Sequence, residues 1–123
     1  MDNTARVIQV NNESFESNKM YWWGDKKKEA SLADVLASAP PGWSGIIKTL
    51  IPDLFALGWD GEVDQVKEKF GGLRFYIGSG SNEIFDRIAQ AENDSNRTCE
   101  VCGAPGVSRR GGWIRTLCDE HNK

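Results

Sequence analysis

Residues 62–77 read EVDQVKEKFGGLRFYI. Asp64, Val66, Glu68 and Phe70 alternate with Gln65, Lys67 and Lys69; beyond Gly71-Gly72, the apolar Leu73, Phe75 and Ile77 alternate with Arg74 and Tyr76. A period of two puts successive side chains on opposite faces of a strand. Two such runs joined by Gly-Gly spell a β-hairpin, because glycine supplies the positive φ angles of a primed turn. The apolar face of that hairpin needs a cover, and the flanking sequence offers two helices.

Upstream, Trp43, Ile46, Ile47, Leu50, Ile51, Leu54 and Phe55 recur at spacings of three and four, which predicts a helix over 43–57 with one apolar face. Pro52 lacks an N–H, so a kink or a fresh helical turn is expected there, and Gly58 is the expected stop. Downstream, a helix from about Asn82 to Glu92 presents Ile84, Phe85, Ile88 and Ala89 on one side, with Asn93, Asp94, Ser95 and Asn96 ending it. Gly78-Ser79-Gly80-Ser81 leads into that helix and reads as its cap; it lacks the full glycine or Gly-Lys pattern of a phosphate loop. Ser31 reads as the N-cap of a short helix from Leu32 to about Ser38, with Asp34 in the capping-box position and Pro40-Pro41 beyond its end. The expected fold is α+β, a small antiparallel hairpin sheet covered by two helices. Residues 31–96 form this core.

Residues 1–30 are polar and read as a partly ordered segment. Val7, Ile8 and Val10 suit a short strand. Tyr21, Trp22 and Trp23 precede Gly24 and Lys26–Lys28. They read as aromatics pinning the segment to the core. The alternative for Trp22 and Trp23 is an aromatic-basic patch that meets a partner.

The chain has 123 residues, a net charge of −3 and no apolar run near the ~20 residues that span a bilayer. Its first residues carry no apolar signal-peptide core, so a cytoplasmic protein of a bacterial cell or a phage-infected host is expected. The three cysteines and the one histidine all fall near the C-terminus, as Cys99, Cys102, Cys118 and His121. An odd cysteine count argues against a disulfide framework. The spacing C-x2-C-x15-C-x2-H instead matches a four-ligand zinc pattern. Two residues between ligands let both side chains of a tight turn reach one metal, and Gly103 permits the backbone of a knuckle. The intervening residues suit a hairpin turning at Arg110-Gly111-Gly112. The expected lobe over 97–123 is therefore zinc-ribbon-like or treble-clef-like, with one structural Zn2+ per chain held by Cys99, Cys102, Cys118 and His121. Four protein ligands leave no open coordination position.

Committing these residues to metal leaves no histidine as a general base and no cysteine as a nucleophile, which argues against an enzyme. No small-molecule substrate motif and no membrane segment is evident. The strings Gln65–Tyr76, Thr98–Gly106, Arg110–Trp113 and Thr116–His121 together resemble those of small uncharacterised proteins encoded by phages and bacteria. The similarity covers about residues 42–123. It implies the metal site and a phage or mobile-element origin, and supplies no mechanism. Residues 1–41 lie outside it.

The sequence thus favours a small zinc-binding, non-enzymatic interaction protein, a phage accessory or host-defence inhibitor acting on a host or phage protein. Its tryptophans are suited to interface anchoring. The alternative is a nucleic-acid-binding module in which Arg97, Arg109, Arg110 and Arg115, with Trp113, form a basic aromatic face on the zinc hairpin.

Overall fold

A computed structural model describes residues 19–22 and 28–122. The Val7–Val10 strand and Trp23 lie outside the described residues. The hairpin expected over 62–77 is present as β3 (Glu62–Lys69) and β4 (Gly72–Ile77), with Val66 opposite Phe75 and Lys69 opposite Gly72. That register moves the turn by one residue from the expected Gly71-Gly72. The two loop residues are Phe70 and Gly71, at φ 55 and 80. Positive φ at both positions is the signature of a type I′ turn, which matches the right-handed twist of the strands.

The sheet is wider than a hairpin. β1 (Met20–Trp22) pairs in parallel with β3, and β2 (Glu29–Ala30) pairs antiparallel with β1, giving a mixed sheet of four strands in the order β2-β1-β3-β4. Part of the N-terminal segment therefore belongs to the core sheet. Met20 and Ala30 are buried in the core cluster, and Trp22 packs against it half-exposed.

Among the described residues, three α-helices accompany the sheet. α1 (Leu32–Ala37) starts at Ser31, whose hydroxyl accepts from the Asp34 amide at 3.1 Å. A 3-10 turn (Pro41–Trp43) leads into α2 (Ser44–Ala56). Of the kink or fresh turn expected at Pro52, the fresh turn does not occur, since α2 runs unbroken through it; the bond Pro52 cannot make is to the carbonyl of Lys48, an exposed residue. α3 (Asn82–Ser95) is capped by Ser81, which accepts from the Ile84 amide. The loop before α3 thus acts as a cap. Ile47, Leu50, Ile51 and Leu54 of α2 and Ile84, Ile88 and Ala91 of α3 bury against Val63, Val66, Leu73 and Phe75 of the hairpin, with Trp43 fully buried among them. Among the described residues, no helix is long and apolar enough to cross a membrane.

α3 extends three residues past its expected end because its last turn is used by the sheet. β4 is an edge strand, and its outward amides would otherwise be unpaired. The Leu73 amide donates to Ser95 Oγ at 2.8 Å, and the Phe75 amide donates to Glu92 Oε2 at 3.0 Å. Ser95 Oγ in turn donates to the Glu92 carbonyl at 2.6 Å. Ser95 is fully buried, so Ser95→Ala orphans the Leu73 amide; we expect a loss of about 1–3 kcal/mol in urea unfolding. A serine that merely faced solvent would give a change near zero.

Candidate metal centre

The C-terminal lobe begins where α3 ends. Cys99, Glu100, Val101 and Cys102 form a tight knuckle in which the Gly103 amide donates to the Cys99 carbonyl at 2.9 Å and the Cys99 amide to the Ala104 carbonyl at 2.7 Å. Gly103 stands at φ 84, in the left-handed region that glycine enters without a Cβ clash. β5 (Val107–Arg109) and β6 (Arg115–Leu117) then form a second, separate hairpin, with Val107 opposite Leu117. Cys118 follows β6 directly, and His121 sits in the turn after it.

This layout brings the four expected ligands together. Their ligand atoms all lie within 4.8 Å of one another. Cys102 Sγ is 3.8 Å from Cys118 Sγ, and His121 Nδ1 is 3.7 Å from Cys99 Sγ and 3.2 Å from Cys118 Sγ. Four such atoms are close enough to bind one metal ion. The electrostatics suit a cation. Burial raises the Cys99 thiol, but the amides of Cys118, Cys102 and Val101 point at its sulfur and bring it down to about 6 from the ordinary 9.0. At Cys102 the Ala104 amide favours the thiolate, yet lost hydration and the neighbouring Cys99 and Cys118 sulfurs prevail and raise it. A cation held among these sulfurs would favour their thiolate forms.

The lobe is fastened to the core at two places that the sequence did not reveal. At the first, the Gly42 amide donates to the Glu100 carbonyl at 2.8 Å, and Trp43 Nε1 donates to the Thr98 carbonyl at 2.9 Å. A Cβ on Gly42 would stand 2.0 Å from the Cys99 carbonyl oxygen, so the knuckle rests directly on this glycine. Gly42→Ala should push the Cys99 backbone away and cost about 1–3 kcal/mol, read as at least tenfold weaker metal retention in a chelator competition. Unchanged retention would show that the knuckle does not need this seat. At the second place, Thr116 Oγ1 donates to the Gly71 carbonyl at 2.6 Å, which joins the tip of the core hairpin to β6. Glu100, only 8% exposed, accepts from the Thr116 amide at 3.2 Å and faces Arg115 Nε at 3.4 Å.

The basic residues singled out in the sequence do not share one open face. Arg97 pairs with Asp94 at 3.1 Å, and Arg115 with Glu100. Arg109 pairs with Asp119 at 2.8 Å and also donates to the Leu117 carbonyl, across the base of its own hairpin. Arg110 is exposed and forms no ion pair among the described residues. Trp113 is 77% exposed. Trp22 lies in β1, away from these residues in the sheet order. Sequence reasoning missed Gly42, Trp43 and Thr116 as supports of the lobe. Their signal is spatial, since each acts on a residue far along the chain. No known family model, curated protein or solved structure matches this chain.

Proposed function

We propose that this chain is a zinc-stapled binding protein that acts through a protein partner, in the manner of a phage or bacterial accessory protein. The observation that carries the metal reading is the closed Cys3His cluster. Tetrahedral zinc, with Zn–S near 2.3 Å and Zn–N near 2.0–2.1 Å, separates its sulfurs by about 3.8 Å and sulfur from nitrogen by about 3.6 Å. The Cys102–Cys118 distance of 3.8 Å and the Cys99–His121 distance of 3.7 Å fall at those values, while Cys118–His121 at 3.2 Å is shorter and the widest pair of ligand atoms lies within 4.8 Å. Four protein donors complete the shell, so the role proposed for the ion is structural. The set also takes up every cysteine and the histidine of the chain. That supports binding over hydrolytic or thiol chemistry.

A protein partner is favoured over nucleic acid because three of the four lobe arginines already face a carboxylate. Nucleic-acid affinity rises with the number of phosphates neutralised, and a chain of net charge −3 starts at a disadvantage.

Native mass spectrometry should find one zinc per chain. The loaded protein, used as bait in bacterial extract, should retain a protein that forms a complex of fixed stoichiometry once both are purified. Metal content well below one per chain overturns the zinc reading. Retention of nucleic acid alone, released by moderate salt, overturns the partner reading.

A further inference from the structure

The two hairpin turns, one from the core and one from the metal lobe, face a common groove of about 380 Å3 lined by Glu68, Lys69, Phe70, Gly112, Trp113 and Ile114. We propose that this groove docks a protein segment carrying one large apolar or aromatic side chain flanked by Asp or Glu. It names the site and the partner chemistry for the protein-binding reading above, and rests on it.

Phe70 carries the first part of the argument. It occupies a left-handed position, φ 55, in a two-residue turn that ordinarily takes Asn or Gly. For a bulky residue this conformation is strained. Its ring is 68% exposed and belongs to no core cluster, so packing does not offset the strain. Trp113 is placed in a similar way by the other turn. Gly111 and Gly112, at φ 146 and 108, direct the chain through conformations that other residues avoid, although a Cβ at either would meet nothing within 4 Å. Neither aromatic supports the fold, and both line one groove. Exposed aromatic pairs beside a cavity are the usual anchors of an interface.

The charges around the groove select the partner. The acid on its wall, Glu68, keeps its charge but is turned to the backbone, its Oε2 accepting from the Gly71 amide at 2.8 Å. Nearby Glu100 is taken by Arg115 and the Thr116 amide. The positive groups left are Lys69, whose Nζ lies 5.5 Å from the centre of the Phe70 ring, and Arg110, three residues before Trp113 in the same turn. Lys69 in the lining, with Arg110 close along the chain, complements a carboxylate next to an apolar anchor. One lining cation is too few to hold a polyphosphate strand against the negative charge of the whole chain. The Thr116–Gly71 hydrogen bond ties the tip of the core hairpin to β6, the strand that follows Trp113 and Ile114, and so holds the two walls of the groove in register.

The test pans a random-peptide display library against the zinc-loaded full chain and titrates the recovered peptides by fluorescence polarisation. Enriched peptides should carry Trp, Phe or Leu beside Asp or Glu. Trp113→Ala and Phe70→Asn should each weaken their binding at least about tenfold, and Lys69→Glu should weaken it also. Phe70→Asn suits the turn better than the native residue, so it should raise the Tm by a few degrees while binding falls. That opposite movement separates an interface role from a structural one. The proposal is overturned if no peptide is enriched, if enriched peptides lack acidic residues, or if they bind both aromatic variants as well as the native chain. It is equally overturned if oligothymidine binds the groove in their place, or if Trp113→Ala acts only by abolishing self-association. A purified host partner that ignores both substitutions would leave the protein-binding reading intact and remove this groove from it.

Discussion

Stripping the metal with a strong chelator, or replacing Cys118 with Ser, should melt residues 97–122 and leave the α+β core folded. Beyond its few hydrogen bonds to the core, the lobe has little else to hold it. Its only buried hydrophobic residues are Cys99 and Leu117, while Val101, Val107 and Trp113 are exposed. A structural zinc ion contributes on the order of 10 kcal/mol to such a lobe, more than all of its other contacts are expected to supply. The core cluster, by contrast, contains no residue beyond Ala91. Amide hydrogen exchange should therefore show lobe amides at unprotected rates without metal, with Ile47, Leu50, Leu54, Val66 and Phe75 still protected. Protection of the lobe without metal would refute the zinc reading. Simultaneous loss of protection in the core would mean that lobe and core form one cooperative unit.

Trp43→Ala should be the most damaging single substitution in the core. Trp43 is fully buried, and truncating a buried tryptophan costs about 3–5 kcal/mol. Against a typical total of about 5–15 kcal/mol, this approaches global unfolding. The same side chain reaches across to the Thr98 carbonyl, one residue before the first ligand, so the lobe should also lose metal affinity. Trp43→Phe divides the effect. It keeps most of the apolar volume and removes the N–H, and should cost about 1–3 kcal/mol. Urea unfolding of the zinc-loaded variants reads the first quantity, and chelator competition reads the second. Equal losses in the two variants would place the whole contribution in the hydrogen bond.

The parts of the fold that were legible in the sequence are those set by local pattern. Alternation gave β3 and β4, a spacing of three and four gave α2 and α3, and serine caps marked Ser31 and Ser81. The metal cluster was legible because each of its ligand pairs is local and its residue types are scarce. The turn register was missed because Gly71-Gly72 is the obvious candidate, and no rule of propensity places a phenylalanine at positive φ. β1 and β2 were missed because three- and two-residue strands carry no period, and the parallel pairing of Trp22 with Val63 is a long-range event. The arginines illustrate the same limit. Composition grouped Arg97, Arg109, Arg110 and Arg115 as a patch, whereas tertiary placement supplied carboxylates to three of them.

The sealing of β4 has a consequence for how copies of this chain behave in a crowd. A bare sheet edge is a template for a neighbour's strand and a common start of aggregation. An intruding strand would first have to displace Ser95 Oγ from the Leu73 amide and the Glu92 carboxylate from the Phe75 amide. Glu92 would then repel carbonyl groups arriving at the same edge. The helix that covers one side of the sheet thus also guards its border, and strand addition at Leu73 and Phe75 of β4 is opposed by two side chains that the intramolecular fold already uses.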